Sequence, residues 1–542
     1  MRDQPLADTV RRVIRQPDIL QLGAVPVLYP ILETLGLRDI INGLCPTQAD
    51  LDLGRVMEVL VLNRLMSPQP LCWVNRWVAR TVLCMALDVP ATKLYDNRLG
   101  RALEAVYPHL GEIWAQLAVR AIQVWQLDLS ILHWDITSFY FEGAYTDSEL
   151  IRYGHSRDHQ SDAKQINLRA DVTHRTRIPV GYGVLTGNTA DITTPRGHLE
   201  ALLDFLARPE LAALNLHPLL VSDCKMITPE AVGACHHNHL FYLGPWARNT
   251  QVNQVLRSVS EDELADHVLS YQPRRQANAP GFIPYRGVWR PFTIKVPPPP
   301  KTRHARPEVF TDRLLVVWSD GKARLDVQKR QKYLKRLLNG LDNIQRQLNQ
   351  GKYAQRDYVV EQIASVRRGN PAKPLVRVDL QGENGSLHLK FRIDRDRLAN
   401  EQALDGRYAL GTNAASVSAD EALTIFKAQD DAEKQFRTWK GPVAVRPVFL
   451  HTDQRIEGLV FITLVALLVR ALLRLRCQQA GLTVSADRVL AEFAPWSVID
   501  LTLTDESYIR QVSTPTEFQT QVMSALGVPL CERYLTSLSS QG

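Results

Sequence analysis

Three extended segments follow one another closely, at residues 130–141, 164–172 and 178–186. The first and third are rich in β-branched and aromatic residues, which favour a pleated, half-buried surface. Their close succession predicts an antiparallel meander. The texture then alternates: a helix near 196–206, a short apolar strand at 217–223 (HPLLVSD), a helix near 229–235, and the strand HLFYLGPW. Strands first, then helix–strand alternation, call for a mixed sheet with helices on both faces, and so for an α/β fold.

The first of these segments contains LHWDITSFYF, in which Asp135 is the one acid among strand formers. Aspartate is depleted in strands, and a carboxylate there loses hydration unless a metal ion, a basic side chain or backbone amides compensate it. Asp223 closes the apolar segment HPLLVSD in the same manner. If the two strands are adjacent, their acids can converge near one edge of the sheet. Two carboxylates a few ångströms apart repel, and a divalent cation is the natural relief. Two magnesium ions can activate a water and stabilise the leaving oxygen in phosphodiester cleavage. A third acid is available in Glu433, with Gln429 four residues before it, Arg437 four after, and Phe426 and Lys440 seven away. At helical spacing all share one face. The plain alternatives are capping or turn roles for the two aspartates and ordinary i,i+4 ion pairs around Glu433.

Five regions are expected. Residues 1–125 read as a helical N-terminal domain, with apolar residues at three and four spacing. Arg76, Arg80, Arg98 and Arg101 make it a candidate DNA-end-binding unit, or simply a solvated helical cap. Residues 126–250 carry the first part of the catalytic core. Residues 251–415 form an insertion of strands and a long basic helix or helix pair over 321–368, entered through the stiff VPPPPKTR stretch. Within that helix Leu334, Leu341 and Leu348 repeat at seven, with Leu337 and Ile344 offset by three, while Gly340 and Gly351 weaken a continuous rod. Residues 416–485 complete the core with a helix that starts at the capping box Ser418–Glu421, stops at Gly441-Pro442, and is followed by a second helix over 454–480. Residues 486–542 are left as a C-terminal tail region.

The formal charge of +7 and pI near 9.0 suit an anionic partner. The seven cysteines are scattered and lack any C-x-x-C pair, which argues for a reducing compartment and against structural zinc. The N-terminus has charges but no apolar core, and the apolar run 459–469 is too short to span a bilayer. A soluble, cytoplasmic protein without a membrane partner is expected.

The ordered segments HWDITSFYFEG, LLVSDCKMIT and DDAEKQFRTWKG resemble the three catalytic segments of DDE transposases of bacterial insertion sequences, in the branch whose third segment carries a Y-x2-R-x3-E-x6-K signature. Supporting segments are YDNRLGRALEAVY, YGHSRDHQSDAKQINL, LDGRYALGTN and RPVFLHTDQRIEGLVF, so the resemblance runs over about residues 20–480. It implies a ribonuclease-H-like core interrupted by a strand-rich insertion. Asp135, Asp223 and Glu433 would be the catalytic, metal-binding triad for two Mg2+ ions, with Mn2+ able to substitute, and Lys440 the signature lysine. The implied activity is cleavage at transposon ends and transfer of the freed 3′-OH into target DNA. Terminal inverted repeats and target DNA would be the partners, with a homodimer in the synaptic complex and a bacterial, nucleoid-associated location. A ribonuclease-H-like nuclease or resolvase without strand transfer, or an inactive DNA-binding relic, are the rival expectations. The chain departs from the signature at Phe426, where the tyrosine would stand, and at Gln429, where the arginine would stand. Neither supplies the replaced group's hydroxyl or charge.

Weaker signals complete the set. Glu457 is a rival third acid, although it opens an apolar helix and suits a cap or dipole role. Cys235-His236-His237, with Cys224 and His239, lacks metal-ligand spacing. Ser156, Arg157, Asp158, His159 and Lys164 fall in a hairpin that could touch DNA or be simply a solvated turn. Trp246 could stack on a displaced base, with Arg248 and Gln429 contacting DNA beside Arg437 and Lys440. Lys329, Arg330, Lys332, Lys335 and Arg336 make a basic arm that tracks DNA or is merely solvated.

Overall fold

The computed structural model describes residues 14–141, 143, 145–154, 163–189, 194–223, 227–273, 283–298, 306–429, 450–503 and 508–529. The chain divides into two compact units, Met1–Val221 with Ala428–Gly542, and Ser222–Lys427. The architecture is mixed α/β.

The first unit contains strands β1 (Ile14–Gln21), β2 (Ile131–Phe141), β3 (Arg152–Tyr153), β4 (Lys164–Thr173), β5 (Pro179–Thr186) and β6 (Leu219–Val221). The meander forms as the sequence demands: β2 pairs antiparallel with β4, and β4 with β5 and β3. β6 pairs parallel with β2 over Ile131–His133, so this sheet is mixed. A parallel pair needs a crossover, and the helix Thr194–Leu206 lies in the connection. Helices Val25–Leu35, Leu53–Met66, Asp96–Val106 and Leu110–Trp125 precede the sheet in the same unit.

The second unit contains β7 (Phe241–Pro245), β8 (Arg286–Val296), β9 (Glu308–Trp318), β10 (Val376–Gln381), β11 (His388–Ile393) and β12 (Arg407–Thr412). β7, β12, β9 and β8 form an antiparallel array in that order, and β10 and β11 a separate hairpin. The basic arm is a helix pair, Asp320–Gln347 and Arg356–Arg367, interrupted around Gly351, whose φ of 49° lies in the left-handed region. Leu337, Leu341 and Ile344 are buried against Val359, Ile363 and the β10–β11 hairpin, and Leu334 and Leu348 pack partly on them. The seven-residue repeat therefore marks the face on which the arm is anchored. Lys329, Lys332, Lys335 and Arg336 are exposed.

The first unit closes with the helix Asp453–Gln479, the helix Ala486–Phe493, β13 (Ser497–Leu503), β14 (Tyr508–Val512) and the helix Glu517–Leu526. Among the described residues, Asp453–Gln479 is the one helix long and apolar enough to cross a membrane, and 89% of its apolar window is buried inside the protein. Two features differ from the sequence expectation. Residues 14–21 are a strand, not part of a helical module, because β13 pairs with it antiparallel from Ile14↔Leu503 to Gln21↔Ser497. The described residues of the C-terminal tail region, 486–503 and 508–529, are folded, with Trp496, Val498, Val522 and Met523 buried.

Burial in the first unit has one titratable consequence. The helix Leu53–Met66 is apolar nearly all round, and Glu58 on it is only 2% exposed with its Oε2 lacking a hydrogen-bond partner among the described residues. Burial pushes its carboxyl from an ordinary 4.5 up to about 8. The folded chain therefore binds a proton that the unfolded chain releases, and stability falls as pH rises from about 4.5 to about 8. Glu58→Gln should raise the thermal midpoint by a few degrees at pH 8.5 and leave it unchanged near pH 4.5. Melts that show an equal shift at both values would contradict this.

Candidate active site

Asp135 lies near the middle of the first unit's sheet, on β2 opposite Ala170 of β4. Its neighbours Trp134 and Ile136 are buried, whereas Asp135 itself is half-buried. The Asp135 Oδ1 accepts the Ile136 backbone N–H at 2.7 Å. β6 pairs with β2 only as far as His133, so the acid stands just beyond the point where the parallel strand ends. His133 and Asp135 project to the same face of the strand, and Trp134 to the other.

On the Asp135 face a buried polar chain reaches across the unit. Gln429 is 9% exposed, and its Nε2 donates to the Trp134 carbonyl at 3.1 Å. Its Oε1 is therefore an acceptor, and lies 2.8 Å from His133 Nδ1. His133 Nδ1 is then the donor to that oxygen, and in the neutral imidazole Nε2 would accept from His174 Nδ1, 2.9 Å away. The two imidazoles stack with centroids 5.2 Å apart. Gln429 thus fastens the segment that enters the third resemblance motif onto the strand that carries Asp135. Its missing charge, which distinguishes it from the signature arginine, is what permits this: an amide can donate to a carbonyl and accept from an imidazole at once.

On the opposite face the Trp134 indole lies against the His198 imidazole, with centroids 4.0 Å apart. His198 Nε2 is 2.9 Å from Asp171 Oδ1, and both residues are buried. Burial lowers the His198 pKa despite the pull of Asp171. Gly181 makes room for this carboxylate, since an added Cβ would lie 2.1 Å from Asp171 Oδ2.

Two of the supporting segments pack on each other. Glu104 pairs with Arg455 at 2.8 Å, and Tyr107 donates to Glu457 at 3.5 Å. Gly458 allows close approach, because a Cβ there would lie 3.0 Å from the Leu103 Cβ. The helix begins at Asp453 rather than at Glu457. Asp453 accepts from Ser148 Oγ at 2.5 Å and from the Glu149 and Leu150 N–H groups at 2.9 and 3.1 Å. Glu457 therefore sits a turn inside, where burial raises its pKa, and the terminal position expected for it belongs to Asp453.

In the second unit Asp223 is half-buried and follows the buried Ser222. Trp246 packs edge-to-face on Phe292 at 5.1 Å and over Gly411, where an added Cβ would lie 2.0 Å from its Nε1. Arg248 donates from Nε to Asn253 at 2.9 Å and pairs with Glu401 at 3.1 Å. Both side chains are held within the unit. Phe426 lies in the last turn of the helix Ala419–Lys427, where the Lys427 ammonium lies over the rings of Tyr285, Tyr408 and Phe426 at 5.3, 5.7 and 5.9 Å. Cys235 is buried with its thiol pushed up to about 12, and His236 bonds Asp312 at 2.9 Å. Glu433, Arg437, Lys440, Cys224 and the turn residues 156–159 lie outside the described residues. Among the described residues no three of His, Cys, Asp and Glu gather as a metal-holding group.

His133, His174, Asp171 and His198 were not singled out by sequence. The one available signal was the His-Trp-Asp order, which puts a histidine on the same strand face as the acid.

No protein-family model matches the chain, and no curated protein matches it. Among solved structures it is similar to the piggyBac transposase in a cryo-EM synaptic complex with hairpin DNA, with a TM-score of 0.37 and 9% identity over 96% of this chain and 86% of that one.

Proposed function

We propose that the chain is a DNA transposase of the DDE class, with a ribonuclease-H-like core, that cuts at the ends of its element and joins the freed 3′-OH to target DNA. The observation that carries this is the pair of Gln429 bonds to His133 and Trp134. They fasten the segment leading into Glu433 beside the strand of Asp135, as a shared carboxylate site requires. Asp135 is a half-buried oxygen donor just past the end of a parallel strand, and Asp223 follows that strand in sequence.

Asp135, Asp223 and Glu433 would hold two Mg2+ ions, since aspartate and glutamate are the hard oxygen donors this ion takes. Bound there, magnesium supplies neutralisation of phosphate charge and a lowered pKa for a coordinated water. The chain's own residues then position the strand: the Gln429 tether fixes the backbone around Asp135, and Arg437 and Lys440 bind phosphate.

The test is to look for inverted repeats on either side of the coding region and to run a cleavage and joining assay with the purified chain on duplexes carrying them. Mg2+-dependent nicking at the repeat ends, followed by joined products, is expected. Nicking without joining would replace the transposase with a nuclease or resolvase. No cleavage in Mg2+ or Mn2+ would leave neither.

A further inference from the structure

The second unit holds a cavity of about 730 Å3 that the chemistry above does not use. Its lining comes from the helices Thr250–Arg257, Asp320–Gln347 and Arg395–Gln402 and from the segment 371–375. Part of the wall is apolar, made by Pro371, Pro374, Leu375 and the half-buried Tyr333. The remainder is ionic, and its three carboxylates are already engaged. Asp405 takes both terminal nitrogens of Arg330 at 2.5 and 2.6 Å. Glu401 takes Arg248 at 3.1 Å, and Asp326 takes Lys322 at 2.7 Å and the Gly406 N–H at 3.0 Å.

Arg397 pairs with Asp394 at 3.5 Å, which leaves two cations of the lining. Lys329 and Arg257 have no carboxylate within ion-pair distance among the described residues. The cavity therefore offers uncompensated positive charge next to an apolar, partly aromatic wall. Small-molecule sites occupy about 300–1,000 Å3 and combine apolar walls with a few placed polar groups. A bare anion would leave the wall unused, and an apolar ligand would strand the cations. A nucleotide uses both, by charge-assisted bonds to its phosphate and stacking of its base.

We propose that this cavity binds a nucleotide, with its phosphate against Lys329 and Arg257 and its base against Tyr333 and the proline wall. The nucleotide is either free or one unit of a single strand. This site stands independently of the reaction proposed above.

The test is a fluorescence titration of the full chain with N-methylanthraniloyl-ATP, with competition by dAMP, orthophosphate and an unlabelled oligothymidylate. Saturable binding is expected, weakened at least about tenfold by Lys329→Glu and by Arg257→Glu. Lys332→Glu, on the same helix but outside the lining, should leave it unchanged. Orthophosphate should need at least about a hundredfold higher concentration than dAMP to compete. Competition by the oligonucleotide identifies a strand as the source, and competition by dAMP alone identifies a free nucleotide. No saturable binding, equal competition by orthophosphate, or an equal loss in Lys332→Glu would overturn the proposal.

Discussion

Asp135→Ala is expected to lower Mg2+-dependent cleavage of terminal-repeat DNA by at least about 10^3-fold while leaving the fold intact. Lewis-acid stabilisation by a metal is worth several kcal/mol, and each 1.36 kcal/mol is tenfold in rate, so losing one of the three carboxylates proposed to hold it should cost about three decades. The structural cost should be small. The Asp135 Oδ1 accepts the adjacent Ile136 N–H, and the residue is half-buried rather than part of the apolar core. Melting temperature and DNA affinity in EDTA should therefore stay near wild type. A cleavage rate within tenfold of wild type would remove Asp135 from the mechanism.

Gln429→Leu should act through stability and alignment together. The substitution strands the Trp134 carbonyl and the His133 Nδ1–H in a buried setting. Leaving a buried polar group unpaired costs about 1–3 kcal/mol, so a loss of about 2–4 kcal/mol is expected in the first unit. The effect should reach His174, whose bond to His133 depends on the tautomer that Gln429 selects. Cleavage measured well below the melting temperature should fall more than the unfolded fraction explains. Faster amide exchange along β2 around residues 134–136 would locate the cause. Unchanged denaturant midpoints and unchanged exchange would show that the amide holds nothing in place.

Elements whose signals are local were legible in the sequence. The strands β2 and β5 announced themselves by β-branched and aromatic residues, and the arm's buried stripe by Leu337, Leu341 and Ile344 at helical spacing. The apolar run 459–469 of the helix Asp453–Gln479 was equally plain, being apolar on every side. What escaped was set by distant partners. Pro17 and Asp18 argue against a strand, yet β13 supplies the ladder that makes 14–21 one. The candidate site divides along the same line. An acid in an apolar strand is visible one residue at a time, so Asp135 and Asp223 stood out. The role of Gln429 depends on which carbonyl and which imidazole face it, and no spacing in the chain encodes that. Trp246 and Arg248 show the converse: their residue types suit DNA, but the fold occupies them with Phe292, Gly411 and Glu401.

The pairing of β1 with β13 bears on how the chain is made. Synthesis proceeds at about 5–20 residues per second, and domains fold as their residues emerge. The second unit is continuous from Ser222 to Lys427 and can collapse while the ribosome is still working. The first unit cannot, because Ile19 waits for Ile499 and the sheet that holds Asp135 waits for Gln429. A truncated or stalled chain would display a finished insertion on an unfinished core. Release of a fully folded chain is thereby tied to completion of its own translation.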